Sequence, residues 1–329
     1  MVEIHPDRLD AILNNGRNRR ILVVGDLMID RYLWGEVGRI SPEAPVPIIN
    51  INDEEVRFGG AANVANNIIG LNAEPVLVGT VGDDAWGDIF RKRLADKNLT
   101  GEGLISDPSR PTTIKTRIIG NNQQIARVDR EKTQSIGPEI QEKTLQYVAS
   151  VIGSIDAVLL QDYNKGMLIP ELVDSIIALA NQHNKIITVD PKFDNFLEFR
   201  NVTVFKPNKK ETEEALAMRM ETEADIERAG AALLEKLNAK SVLITLGERG
   251  MALIEKEGRC SFEETRARKV ADVSGAGDTV IATLTTALAA GAELREAVTL
   301  SNFAAGVVCE EVGVVPIDTK RLAQTVIKG

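Results

Sequence analysis

The chain has 329 residues, 43% of them apolar and 26% charged, with a formal net charge of −9, two cysteines and two histidines. That length supports one large α/β domain or two smaller ones around a substantial core, and the composition excludes disordered, collagenous and disulfide-scaffold proteins. The acidic balance argues against a nucleic-acid partner, no run nears the ~18 apolar residues of a membrane span, and the charged start is unlike a signal peptide, so the chain reads as cytoplasmic with no membrane partner.

Apolar or β-branched runs at 20–25, 75–81, 157–160, 185–189, 202–205 and 241–245 read as buried strands. Helical patterns fall at 61–71, 88–97, 138–152, 170–183, 209–217 and 223–237, followed by two small-residue helices at 278–290 and 294–311. Strands alternating with crossover helices predict a three-layer α/β/α domain with a mainly parallel central sheet. Two segments break the rhythm. The first, 31–57, carries Pro42, Pro45 and Pro47 and then an apolar stretch at 46–51. The second, 110–130, alternates with a period of two, turns at Gly120, Asn121 and Asn122, and reads as a β-hairpin. Together they predict a small β-sheet lid over the strand ends. No linker separates two independent units, so 1–329 reads as one domain with the lid inserted.

The strongest local pattern is Asp272-Val273-Ser274-Gly275-Ala276-Gly277-Asp278, which opens a helical run. Small residues let successive N–H groups point at one spot, and a helix N-terminus adds positive potential, so the segment reads as an anion hole. A carboxylate there repels a bound phosphate unless it has a second task. Asp278 fits a base that takes a proton from a hydroxyl attacking the phosphoryl group; a plain helix cap is the bland alternative. Gly59-Gly60-Ala61-Ala62-Asn63 opens another helix, the glycines as hinge or close approach and Asn63 able to bond sugar hydroxyls at both amide ends. His5 and His183 lie in polar surroundings, which leaves acid–base chemistry to carboxylates.

These two signatures, in this order, resemble those of the ribokinase-like (PfkB) carbohydrate kinases. The resemblance implies an α/β/α fold with a β-sheet lid and transfer of the γ-phosphoryl group of ATP to a sugar hydroxyl. It implies Asp278 as base and the amides of Gly275, Ala276 and Gly277 as anion hole. It carries the sugar-hydroxyl aspartate onto Asp30, placed at the end of a turn after the first strand, and the hinge and sugar contact onto Gly59 and Gly60, with Asn63 beside them. Asn208 and Glu211 resemble the element that holds Mg²⁺ through water, although a helix capping box explains the pair equally well. Thr245, Gly247 and Gly250 resemble a turn that contacts ATP and also read as an ordinary β-turn. Asn302 resembles a residue lining the adenine pocket. Asn72 and Ser274 depart from the commoner glycine and threonine, at little cost.

Within 110–130, Arg110, Lys115, Arg117, Arg127 and Arg130 face Asp129 alone. This local reversal of sign points to an acceptor that already carries a phosphate, while a solvated hairpin face would look the same. Four strings sharpen the resemblance: Arg39-Ile40-Ser41-Pro42-Glu43-Ala44-Pro45-Val46-Pro47, Asn122-Gln123-Gln124-x-x-Arg127-x-Asp129, Asp162-Tyr163-x-Lys165-Gly166 and Asp190-Pro191-Lys192. They resemble the D-glycero-D-manno-heptose 7-phosphate kinases, which phosphorylate the anomeric O1 on the route to ADP-heptose and lipopolysaccharide. That resemblance implies that Arg117 and Arg127, with Lys165 or Lys192, meet the phosphates. It also implies ATP and Mg²⁺ as cofactors, a sugar phosphate as partner, and a homodimer through the lid sheets. The end at Gly329 leads to the expectation of a kinase without the adenylyltransferase domain often fused to it. Kinases of fructose 1- or 6-phosphate, ribose or a nucleoside would share the same core motifs, and a non-catalytic sugar-binding protein would share the fold. A dehydrogenase is set aside, because no G-x-G-x-x-G follows the first strand.

Overall fold

The structure is a computed structural model that describes residues 2–121, 123–256, 258–266, 271–311 and 313–328. In chain order the first half runs α1 (Pro6–Gly16), β1 (Arg20–Gly25), β2 (Leu27–Ile40), β3 (Pro47–Gly60), α2 (Ala61–Gly70), β4 (Glu74–Val81), α3 (Ala85–Asp96) and β5 (Leu104–Ser106). There follow β6 (Ile114–Gly120), β7 (Gln123–Arg130), α4 (Pro138–Val151), β8 (Ala157–Gln161), α5 (Pro170–Gln182), β9 (Ile186–Asp190) and β10 (Val204–Phe205). The last third comprises α6 (Lys209–Leu216), α7 (Glu223–Leu237), β11 (Ser241–Thr245), β12 (Met251–Glu255), β13 (Cys260–Glu263), α8 (Ala276–Ala289), α9 (Leu294–Cys309) and α10 (Thr319–Lys328).

Among the described residues the strands form two sheets, one of nine in the order β13-β12-β11-β10-β9-β8-β1-β4-β5 and one of four in the order β3-β2-β6-β7. The large sheet is parallel from β11 to β5, and only β12 and β13 run antiparallel at its edge. Alternate side chains of β1 serve two cores. Leu22 and Val24 pack with the residues of α4, α5 and α7, whereas Ile21 and Val23 pack with those of α1, α2, α8 and α9. Both faces are therefore covered, which is why these strands read as unbroken apolar runs rather than alternating ones. The expected three-layer arrangement is present.

The small sheet stands apart as the expected lid. β2 pairs antiparallel with β3 and parallel with β6, and β6 pairs antiparallel with β7. One expectation changes here. Asp30 does not end a turn but lies within β2, opposite Arg57 and Lys115, because pairing with β3 begins already at Leu27. Of the expected hairpin turn, Asn121 adopts the left-handed conformation with φ 52°, and Asn122 lies outside the described residues. Helices α1 and α10 and strands β5, β12 and β13 answer to no pattern singled out in the sequence. No helix is long and apolar enough to cross a membrane, among the described residues.

Candidate active site

The chain leaves β1 toward β4 on one side and reaches β8 on the other, so the C-terminal end of β1 is a topological switch point where a crevice opens. Residues that follow the strand ends converge there: Asp26 after β1, Asp162 and Tyr163 after β8, Lys192 after β9, Lys206 and Asn208 after β10. Asp26, which is buried, fixes the rim of this crevice. Its carboxylate accepts the backbone N–H groups of Tyr163 at 2.8 Å, Lys165 at 3.1 Å and Met167 at 3.1 Å.

Asp278 is the third residue of α8, in the first turn of the helix. It is 6% exposed and aims its carboxylate at the crevice rather than into the packed interior. One oxygen, Oδ2, accepts Asn63 Nδ2 at 2.7 Å. The other, Oδ1, accepts the Tyr163 hydroxyl at 2.6 Å and, at 3.4 Å, Gln161 Nε2. Burial pushes this carboxyl up to about 6, against the pull of the Asn63 and Tyr163 hydrogen bonds; the charge of Asp190 adds to the rise and Lys206 opposes it. A buried carboxyl that titrates near neutrality in a crevice suits a general base.

Gly275 caps α8 in the left-handed conformation, φ 79°, which turns the chain so that the helix N-terminus faces the cavity. Of the three amides expected to form the anion hole, that of Ala276 donates to Val273 O at 3.2 Å and is spent within the turn. Those of Gly275 and Gly277 have no partner among the described residues, and both glycines line the cavity. Of the expected anion hole, two glycine amides and the helix end remain unspent.

On the lid side, Asp30 is buried and ion-paired to Arg117. A Cβ on Gly59 would stand 2.3 Å from Asp30 Oδ2, so the glycine is what makes room for that carboxylate. Gly60, with φ 59°, carries the chain from β3 into α2 and so sets Asn63, whose Oδ1 is buried without a partner. Register places Asp30, Lys115 and Asp129 in one row across the sheet, and Tyr32, Arg117 and Arg127 in the next row on the same face. Arg117 lies over the Tyr32 ring at 5.2 Å and Arg127 pairs with Asp129 at 3.1 Å. Lys115 has no ion-pair partner among the described residues and stands 5.7 Å above the Tyr163 ring. The basic cluster also splits. Arg110 is buried on Asp107 and two backbone carbonyls, which makes it part of the scaffold, and Lys165 pairs with Glu131 at 2.9 Å.

The donor side is a cavity of about 560 Å³ that reaches from Asp278 to Thr245 and Gly247. Lys192, Lys206, Lys209 and Lys210 line it, a concentration of positive charge in a chain of net −9. Lys206 pairs with Asp190 at 3.0 Å and Lys192 with Glu211. Lys192 was singled out in the sequence and the other three were not, although Lys206-Pro207-Asn208-Lys209-Lys210 is a basic run directly after a strand. Asn208 and Glu211 form a reciprocal capping box on α6, Asn208 Oδ1 accepting the Glu211 N–H at 2.8 Å and Glu211 Oε2 accepting the Asn208 N–H at 2.9 Å. The described residues hold no group of three or more acidic, histidine or cysteine side chains able to cage a metal. One carboxylate and one amide at the rim of a polyphosphate-sized cavity still fit a divalent ion that keeps most of its waters and leans on phosphate oxygens.

Two residues expected at the nucleotide do not line this cavity. Gly250 closes the β11–β12 turn, where a Cβ would meet Glu263 O at 1.9 Å, and it does not line the cavity. Asn302 is buried in α9 and donates to Glu264 O at 2.6 Å, so its amide holds a backbone segment rather than facing the cavity. Tyr163 is the residue at this site whose role the sequence did not suggest, although its string had been singled out.

Residues 18–320 match the pattern of the pfkB family carbohydrate kinases. The chain is 44% identical over 295 residues to the bifunctional protein HldE of Helicobacter pylori, covering 90% of this chain and 64% of that one. It is 42% identical over 303 residues to the protein of the same name from Desulfatibacillum aliphaticivorans, covering 92% and 62%. The chain thus spans under two thirds of the length of these relatives. Among solved structures, Arabidopsis thaliana ribokinase complexed with ribose and ATP superposes with a TM-score of 0.73 at 21% identity, over 94% of this chain and 98% of that one. Phosphofructokinase-2 from Escherichia coli in complex with fructose-6-phosphate gives 0.76 at 18% identity, over 94% and 98%. At those identities the likeness is one of fold.

Proposed function

This chain belongs to the pfkB family of carbohydrate kinases, and on that premise we propose that it transfers the γ-phosphoryl group of ATP to the anomeric O1 of D-glycero-D-manno-heptose 7-phosphate, giving the 1,7-bisphosphate. The observation that carries this reading is the group of cations on one face of the lid, Lys115, Arg117 and Arg127, with Lys115 over the ring of the Tyr163 that bonds the buried Asp278 carboxylate. A neutral sugar has no use for that charge; a sugar that enters with a phosphate does.

The acceptor hydroxyl lies against Asp278, which takes its proton as O1 attacks the phosphoryl group. Asp30 and the free Oδ1 of Asn63 accept other sugar hydroxyls, and the close approach at Gly59 and Gly60 keeps the sugar near the hinge. Arg117 and Arg127 meet the acceptor phosphate, with Lys165 behind them. Lys192 and Lys206 meet the donor phosphates, and the amides of Gly275 and Gly277 hold oxygens of the transferred group. Thr245 and Gly247 border the nucleotide. Asn208 and Glu211 would hold Mg²⁺ through water, and the ion would supply neutralisation of phosphate charge. Closure of the lid excludes water, which otherwise competes as acceptor. The chain acts as one domain in the cytoplasm, as a homodimer through the lid, whose apolar Val46, Ile51, Ile125 and Val128 stand exposed.

The test is ADP release over a panel of sugar phosphates, with NMR of the product to locate the new phosphate. Turnover is expected on heptose 7-phosphate with the new phosphate on O1. A preference for fructose 1- or 6-phosphate would replace the substrate and keep the reaction, whereas binding of sugar phosphate without ATP turnover would end the reading.

A further inference from the structure

Asp278 is gripped by one short hydrogen bond on each oxygen, and the second of these donors, Tyr163, has no role in the reading above. Tyr163 follows β8, and its hydroxyl donates to Asp278 Oδ1 at 2.6 Å. The loop that carries it is built to hold it still. Asp26 accepts three of its backbone N–H groups, and Gly166, with φ 81°, passes so close to Gln134 that a Cβ would lie 2.2 Å from that carbonyl oxygen. Two cations lie over the ring, Lys115 of the lid at 5.7 Å and Lys192 of the donor side at 5.8 Å.

We propose that Tyr163 is a positioning residue for the phosphoryl transfer: its hydroxyl, with Asn63 on the opposite oxygen, fixes the rotation of the Asp278 carboxylate so that a lone pair faces the acceptor hydroxyl. A carboxylate on a rotatable Cβ–Cγ bond otherwise samples orientations that miss the proton, and orientation is a large part of what a kinase supplies. The phenol stays protonated throughout, since burial and the neighbouring Asp278 and Asp190 charges push it well above its ordinary value. It donates and never exchanges its proton with substrate. Its contacts with Lys115 and Lys192 also put it where the lid meets the donor site, so the base is oriented from the seam between the two substrates.

This inference rests on Asp278 being the base, and the test separates the two. Tyr163→Phe keeps the ring and its cation contacts and removes one hydrogen bond. In the full chain, with ATP and the acceptor identified by the panel, kcat is expected to fall about 10- to 100-fold, with both KM values within about twofold of wild type. Because the lost bond favoured the charged carboxylate, the acid limb of the kcat profile should move up by about one pH unit. The charged groups that face Asp278, namely Asp190, Lys192 and Lys206, are unchanged in the variant. A merely structural tyrosine predicts wild-type kcat and an unmoved limb, and that result overturns the proposal. A second measurement needs neither substrate nor turnover: the ¹³C titration of the Asp278 carboxyl should shift upward in Tyr163→Phe, and an unmoved midpoint would overturn the proposal even if no acceptor were ever found.

Discussion

In the nine-stranded sheet the side chains of β8 are withdrawn from solvent along the whole strand, whereas in the four-stranded lid every residue of β7 is exposed. The first sheet is fixed by apolar burial on two faces, worth about 1.5–3 kcal/mol for each large side chain. The second is fixed by main-chain ladders and cross-strand pairs worth roughly 0.2–1 kcal/mol each. Function divides along the same line. Against the ends of the rigid sheet stand Asp278, in the first turn of α8, Tyr163 and the cavity lysines, the parts whose geometry the proposed reaction needs fixed. The lid carries Asp30, Lys115, Arg117 and Arg127; Asp30 is buried on Arg117, whereas the more exposed pair of Arg127 with Asp129 ties its outer strand down only weakly. On the proposed function, a part that opens to admit substrate is assembled from interactions that a ligand can replace.

The contrast can be broken at both ends, and the largest effect belongs to the core. Phe205, fully buried and edge-on to Phe196 with ring centres 5.1 Å apart, should cost about 3–5 kcal/mol on replacement by Ala, read as lost denaturant stability. A loss under about 1 kcal/mol would show that the large sheet is not held as described. Next comes Asp278→Asn, for which kcat should drop at least ~100-fold, about 2.7 kcal/mol, with ATP binding intact. The pH dependence follows from the raised carboxyl. The base must be ionised to accept a proton, so wild-type kcat should fall as pH drops through about 6. For stability the sign is reversed. A folded value above the ordinary one means that ionisation disfavours the folded state at pH 7, so the Asn variant should not melt below wild type there. Near-normal turnover in that variant removes Asp278 from the chemistry. The smallest effect is on the lid. Arg127→Ala should raise the acceptor KM about tenfold, some 1.4 kcal/mol, and leave the KM for ATP and the thermal midpoint nearly unchanged. An unchanged acceptor KM takes Arg127 out of the site.

Much of this was legible in the residues. The apolar runs that became β1, β4, β8, β9 and β11 are legible because burial on both faces leaves no polar interruption. The Asp278 segment is legible because few tasks ask for glycines and a carboxylate together at a helix start. The edge hairpin of β12 and β13 was missed because short antiparallel strands after a turn carry little pattern of their own. Asn302 and Gly250 do not line the cavity, and the sequence left this open because a polar or glycine residue near a nucleotide pattern looks the same whether it faces a cavity or holds a backbone. Lys206, Lys209 and Lys210 were passed over because a lysine beside a helix start is ordinary until a cavity is seen to open in front of it.

The sequence by itself determined the layers and the lid and singled out Asp278 as the candidate base, since these readings depend on periodicity and on residue types adjacent in the chain. Only the tertiary structure decided what surrounds that base: Asn63, Tyr163 and Gln161 lie 215, 115 and 117 residues away from Asp278 along the chain. It also separated the cations by task, Arg110 buried as scaffold and Lys115 left facing the crevice. The physical reason is that a side chain's protonation and hydrogen bonding depend on what crosses it in space, and no local pattern encodes which distant strand end will arrive beside it.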